Sequence, residues 1–192
     1  MARTPARFED VFRDFVVSLG GIYEETVDAE KATLLRHFNA GYRAAWKFEG
    51  VPWEDSWEEG ALTVTDGMID YADIDDAHVF NFWTADPRRV SNACWVDATT
   101  AKSGVFVGTN FTQIFGFWRP PCPQFDGTNL NAPLIAILTD PTVAFAQAEH
   151  WRGAGQYETG GARRKDAKEL CDELAGVEFM RLQSKWWLRK QD

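Results

Sequence analysis

Leu34-Leu35-Arg36-His37-Phe38-Asn39-Ala40-Gly41-Tyr42-Arg43-Ala44-Ala45-Trp46-Lys47-Phe48-Glu49-Gly50-Val51-Pro52-Trp53 is the stretch in which the periodicity of this 192-residue chain changes. Leu35, Phe38, Tyr42 and Ala45 recur at spacings of three and four, and Trp46 continues the stripe, which is the pattern of a helix with one apolar face. Upstream, Ala32 and Leu34 are apolar as well, and Asp28 suits an N-cap, so the spacing predicts a helix from about Asp28 to Phe48. Beyond Gly50 the helical period is lost and short alternating segments follow. A helical chain that turns to strands after residue 50 is α+β, not a uniform bundle.

Working outward, Phe8, Val11, Phe12, Phe15, Val16 and Leu19 mark a first helix that Pro5 suits as an opening turn and Gly20-Gly21 ends. Strands are predicted at 61–65, 68–71, 79–83, 94–96, 104–107 and 113–118. Asp66-Gly67 is a hairpin turn from which 68–71 can return, and Pro120-Pro121 stops the last strand. The connections are rich in turn residues and lack helices, which disfavours a parallel βαβ sheet. A polar link follows. Asn131 suits a cap for a turn led by Pro133, and Asp140-Pro141 opens a helix to about Arg152 that is rich in alanine and so permits close packing. Residues 153–161, with Gly153, Gly155, Gly160 and Gly161, predict a flexible or turn-forming segment, and 162–188 a last long helix. The expected architecture is a helical bundle over 1–50 and 131–192, two helices at each end, with a small antiparallel β subdomain inserted at 60–120, all within one overall domain. Phe12, Phe15, Leu35, Phe38, Tyr42, Val64, Val79, Phe115, Leu138, Phe145, Leu170 and Leu174 are the expected core.

Charge is distributed unevenly. The chain carries 29 acids against 20 Lys and Arg, a net charge of −9, which disfavours a general nucleic-acid coat. Residues 48–87 hold 11 acids, among them Glu54, Asp55, Glu58 and Glu59, and no base at all. The C-terminal end is basic: Arg163-Arg164-Lys165, then Arg181, Lys185, Arg189 and Lys190 around Trp186-Trp187. A solvated face with cations at a helix C-terminus accounts for this, and so does electrostatic complementarity between copies or partners. Nine Trp beside 14 Phe are more large rings than a small core readily hides, which places some at interfaces.

Standard chemical motifs are absent. The sequence holds no GxGxxG, no P-loop, no HExxH and no GxSxG, and no cofactor is expected. Asp75, Asp76 and His78 are a weak metal fragment that reads better as a polar turn, and Asp66–Ala77 departs from a calcium loop at its sixth and twelfth positions, so no metal is expected. Three cysteines, Cys94, Cys122 and Cys171, are an odd number without a CxxC and read as reduced thiols. The start leads into a charged segment and the longest strongly apolar run, 132–138, is too short for a bilayer, so the expectation is a chain assembled in a cytoplasm. Two other classes stay open. Trp53, Trp57, Trp83, Trp95 and Trp118 would make a ligand- or carbohydrate-binding β module if they formed an exposed row. Carboxylates among Glu54, Asp55, Glu58 and Glu59 would suit a small acidic hydrolase if paired across a cleft.

Together with this order of elements, certain strings resemble the head-to-tail connector or adaptor (neck) proteins of tailed double-stranded DNA phages and gene-transfer particles. They are Asn39-Ala40-Gly41-Tyr42-Arg43-Ala44-Ala45-Trp46, Pro52-Trp53-Glu54, Asp66-Gly67-Met68-Ile69, Asp86-Pro87-Arg88, Phe117-Trp118-Arg119-Pro120-Pro121-Cys122-Pro123-Gln124-Phe125, and the Ala-rich helix through Gly155-Gln156. The resemblance covers most of the chain and is one of architecture and weak strings. It implies a non-catalytic virion protein at the head–tail junction, assembled in the host cytoplasm as a homo-oligomeric ring, often of twelve copies. Such a ring sits beneath the portal protein, meets a tail or neck protein on its other side, and passes DNA through its channel without specific binding; no membrane is involved. By that analogy Arg181, Lys185, Trp186, Trp187, Arg189 and Lys190 would dock the portal. Glu54, Asp55, Glu58 and Glu59 would face Arg88, Arg89 and Arg119 across subunit boundaries. Heavy Trp use and a large β segment depart from the more familiar adaptors of short-tailed phages.

Overall fold

The computed structural model describes residues 4–48, 51, 53, 56, 58–70, 79–83, 104–106, 112–118 and 120–189. Its elements are, in order, strand β1 (Ala6–Arg7), helix α1 (Phe8–Ser18), helix α2 (Asp28–Trp46), strands β2 (Glu58–Thr63), β3 (Met68–Asp70), β4 (Val79–Trp83), β5 (Gly104–Phe106), β6 (Gln113–Trp118) and β7 (Pro133–Leu134), then helices α3 (Thr139–Gly153) and α4 (Tyr157–Arg189). The fold is α+β. The chain divides into two compact units, one of Met1–Asp55 with Pro123–Asp192 and one of Ser56–Cys122.

In the first unit α3 is the middle layer, packed against α2 on one side and α4 on the other. Both contacts need a missing side chain. A Cβ on Gly41 would lie 2.6 Å from the Ala146 amide nitrogen and 2.7 Å from the Thr142 carbonyl oxygen, so α2 meets α3 backbone to backbone. On the other side a Cβ on Gly160 would lie 3.0 Å from the Ala148 carbonyl oxygen and 2.6 Å from Arg152 Cγ. Ala146 and Ala148 are fully buried, which is what close helix approach selects on the facing surface.

Around this spine α1 adds an aromatic cluster. Phe8 stacks on Phe12 at 5.4 Å and on Phe125 at 4.8 Å, while Phe38 meets Phe8 and Phe12 edge-on at 5.5 Å each. Offset and edge-to-face pairs of this kind add to simple area burial. Asn39 fixes the Phe125 segment: its Nδ2 donates to the Phe125 carbonyl at 2.8 Å and its Oδ1 accepts the Phe125 amide at 2.9 Å. The Ile135 amide donates to the Tyr42 hydroxyl oxygen at 3.4 Å.

Helix ends follow from local chemistry. Two amides in the first turn of α1 lack a side-chain cap; Phe8 donates to the Ala132 carbonyl and Glu9 to the Leu130 carbonyl, next to the β1–β7 pairing. Its C-terminus closes through Gly20 at φ +84°, with Gly21 donating to Val16 and Gly20 to Val17. Gly155 at φ +79° ends α3 in the same way, with Gln156 donating to Trp151 and Gly155 to Arg152.

In the second unit β6 is central to an antiparallel sheet of order β2–β6–β4, with Glu58 opposite Trp118 and Thr63 opposite Gln113. A bulge lies between Val79 and Asn81 on β4. Strands β3 and β5 form a separate antiparallel pair. Leu62, Val64 and Ile69 are buried.

Several expectations need correction. Pro5 precedes a short strand and not a helical turn, because residues 6–7 pair with 133–134. Asp28 is the first residue of α2 and makes no cap; its charge there, with Glu30, favours the positive end of the helix dipole. The Asp66-Gly67 reversal forms, with φ of 51° and 80°, but β3 pairs with β5 and not back onto β2: turn chemistry sets a reversal and does not choose the strand's partner. Leu130 and Asn131 lie in a turn, but Pro133 leads no turn: it opens strand β7. Residues 157–161 are helical because Gly160 packs on α3, so α4 begins at Tyr157 and not at 162. In α2 the buried stripe is Leu34, Phe38, Gly41, Tyr42, Ala45 and Trp46, with Leu35 half-buried, and Leu170 and Leu174 are half-buried too. Phe12, Phe15, Phe38, Tyr42, Val64, Leu138 and Phe145 are core. The strand expected at 94–96 lies outside the described residues.

Glycines on α2 and α4 separate packing from helix propensity. Gly41→Ala drives a methyl into α3 backbone and is expected to cost about 1–3 kcal/mol in urea denaturation, more than the helix propensity it gains. Gly161→Ala meets nothing within 4 Å. It is expected to add about 0.5–1 kcal/mol.

Candidate docking surface

Helix α4 is longer than anything it packs on. At about 1.5 Å per residue its 33 residues span about 50 Å, against about 22 Å for the 15 of α3. Gly160 meets α3 at Ala148 and Arg152, so the contact starts near the beginning of α4 and uses its first half. Ala167, Cys171, Ala175 and Glu178 continue the buried stripe at three- and four-residue spacing.

At that point exposed apolar side chains begin. Val177 is 49%, Phe179 49% and Met180 67% exposed. Single exposed apolar residues are ordinary, but three within four positions of one helix are a surface that water covers poorly. Arg181, Lys185, Trp186, Trp187 and Arg189 follow on the same helix, within its next nine residues, and Lys190 lies outside the described residues. Leu182 and Trp186 fall in helical register one and two turns after Glu178. Cations at the end of a helix also suit its negative pole.

The acidic candidates are placed only in part. Glu58 and Glu59 lie on β2, opposite Trp118 and Phe117 of β6. Glu54, Asp55, Arg88, Arg89 and Arg119 lie outside the described residues, as do Asp75, Asp76 and His78 and two Trp of the row considered for a ligand, Trp57 and Trp95; Trp83 lies on β4 and Trp118 on β6. Trp53 is a correction to that row: it is fully buried, and its indole N–H donates to the Ala45 carbonyl at 2.9 Å, so its face is closed to a sugar. Cys171 is buried and Cys122 half-buried.

Two residues that sequence reading left apart are brought together. His37 on α2 and His150 on α3 have ring centroids 5.6 Å apart. Burial first, then the charges of His150 and Arg36, hold His37 below the ordinary imidazole range, and Glu149 pulls the other way. Their separation of more than a hundred positions left no sequence signal. Among the described residues no group of three or more His, Cys, Asp or Glu gathers as a metal site, and no described helix is long and apolar enough to cross a membrane.

No family model matches the chain, and no curated protein matches it.

The two faces of α4 respond differently to substitution. Phe179→Ser with Met180→Ser is expected to change stability by no more than about 1 kcal/mol, the range of exposed helix positions. Ala167→Asp places a charge on the buried stripe and is expected to unfold the chain or cost more than about 3 kcal/mol by thermal denaturation.

Proposed function

We propose that this chain is a structural virion protein: a head-to-tail adaptor that joins portal to tail in a tailed DNA phage or gene-transfer particle, without catalysis. In this assignment residues 56–122 are an antiparallel β subdomain inserted into a helical bundle, and copies close into a ring, twelvefold as in the family it resembles, through which DNA passes. The observation that carries it is the part of α4 beyond α3. It combines exposed Val177, Phe179 and Met180 with a basic, double-Trp end, the composition of a segment that docks on another protein.

Trp and Arg are the residues that most often concentrate binding energy, and the end of α4 holds both. The acid-only block at 48–87 repels phosphate, so a channel wall carrying it lets DNA slide and does not hold it. Glu54, Asp55, Glu58 and Glu59 supply charge for Arg88, Arg89 and Arg119 of a neighbouring copy. The tail-side partner is a second protein of the particle. The site of action is the head–tail junction, reached by assembly in the host cytoplasm.

Binding to the particle's portal protein is the test. Trp186→Ala with Trp187→Ala is expected to weaken portal affinity by about 25-fold or more, the loss of one or two hot-spot residues, with the far-UV spectrum unchanged. Limited trypsin digestion is expected to cut after Arg181 and Lys185 in the isolated chain and to spare both bonds once the portal is bound. Equal cleavage with and without portal, or an unchanged affinity in the double variant, contradicts the assignment of this segment.

A further inference from the structure

The seam between α2 and α3 carries a second feature beyond Gly41. The helices run antiparallel there, with Gly41 against Thr142 and Ala146 and His37 near His150 and Gly153. The two imidazoles meet edge to face, 5.6 Å apart at 68°, and Trp151 meets His150 edge-on at 5.1 Å. Gly153 lies beside the ring of His37: a Cβ there would stand in ordinary contact, 3.4 Å from His37 Cε1 and 3.5 Å from its Nε2. The Nδ1 atoms of both rings are buried and have no hydrogen-bond partner among the described residues.

The charges around the pair do not favour two imidazoliums. Arg36 on α2 opposes a charge on His37. Glu149 on α3 favours one, but Arg152 of α3 lies 3.6 Å from its carboxylate and Arg164 of α4 3.1 Å. The carboxylate is therefore already engaged by two guanidinium groups.

We propose that His37 and His150 form a proton-operated latch on the α2–α3 seam. With His37 neutral the rings pack and hold the end of the seam closed; a proton on His37 places a buried charge beside His150 and Arg36 and loosens α3 where it turns through Gly155 into α4. The direction follows from linkage. His37 takes up its proton in the unfolded chain at about pH 6.5 and in the folded chain only at lower pH, so the unfolded state binds more protons in between. The stability contributed by neutral His37 is whole above pH 6.5 and is lost as pH falls through the interval below it. A particle component built this way is tight at neutral pH and looser in an acidic medium.

The test uses the full chain and compares wild type with His37→Gln, His150→Gln and the double variant. Amide exchange across 37–45 and 142–153, corrected for its intrinsic pH dependence, is expected to accelerate severalfold more in wild type than in the double variant between pH 7.5 and 5. Carboxylates titrate in both and cancel. In His150→Gln the His37 ring resonance is expected to titrate closer to pH 6.5 than in wild type. An unchanged His37 midpoint in that variant overturns the latch, as does equal acid loosening of the seam in wild type and double variant. If the double variant does not fold, the two single variants carry the same comparison.

Discussion

Gly41 has no side chain, and the first compact unit depends on that. With hydrogen at this position, α2 lies against the backbone of α3 at Thr142 and Ala146. A methyl group would occupy space that main-chain atoms already fill, and main chain inside a helix has little room to give. The close approach makes α3 the middle layer. Its opposite side receives Gly160 of α4, and its small buried residues, Ala146 and Ala148, serve the two faces. Helix α1 and the Phe125 segment then complete the aromatic cluster beside α2, with Asn39 holding that segment by two hydrogen bonds.

Periodicity made the helices legible, because burial of one face leaves a mark every three or four residues. Phe8, Phe12 and Phe15, or Phe38, Tyr42 and Ala45, need no structure to be placed on a common stripe. Residues buried by long-range contact left no such mark. Phe125 sits in a polar link and Trp53 among acids, yet both are core, the first through Asn39 and the second through the Ala45 carbonyl. Gly160 and Gly161 look like a turn by composition; one is the packing contact of α4 and the other is a helical position open to solvent. The partner of β3 was equally hidden, since a two-residue turn says where a chain reverses and not which strand receives it.

The candidate surface was legible as chemistry and not as geometry. The basic residues and paired Trp near the C-terminus stand out in the sequence, whereas the exposed Val177, Phe179 and Met180 that precede them emerge only once α3 is seen to end short of them. The strings that carry the resemblance to adaptor proteins also have local structural work: Asn39 clamps Phe125, Gly41 admits α3, Tyr42 receives the Ile135 amide and Ala45 receives the Trp53 indole. Such strings mark a fold more than a reaction.

The central claim is that the chain assembles on a portal. Native mass spectrometry of the full-length chain, alone and after mixing with the portal protein of the same particle, tests it most directly. The account predicts a discrete complex in which a complete ring of this chain is bound to the portal ring, whatever the state of the chain alone. A chain that stays monomeric and unbound at every ratio to an intact portal contradicts it.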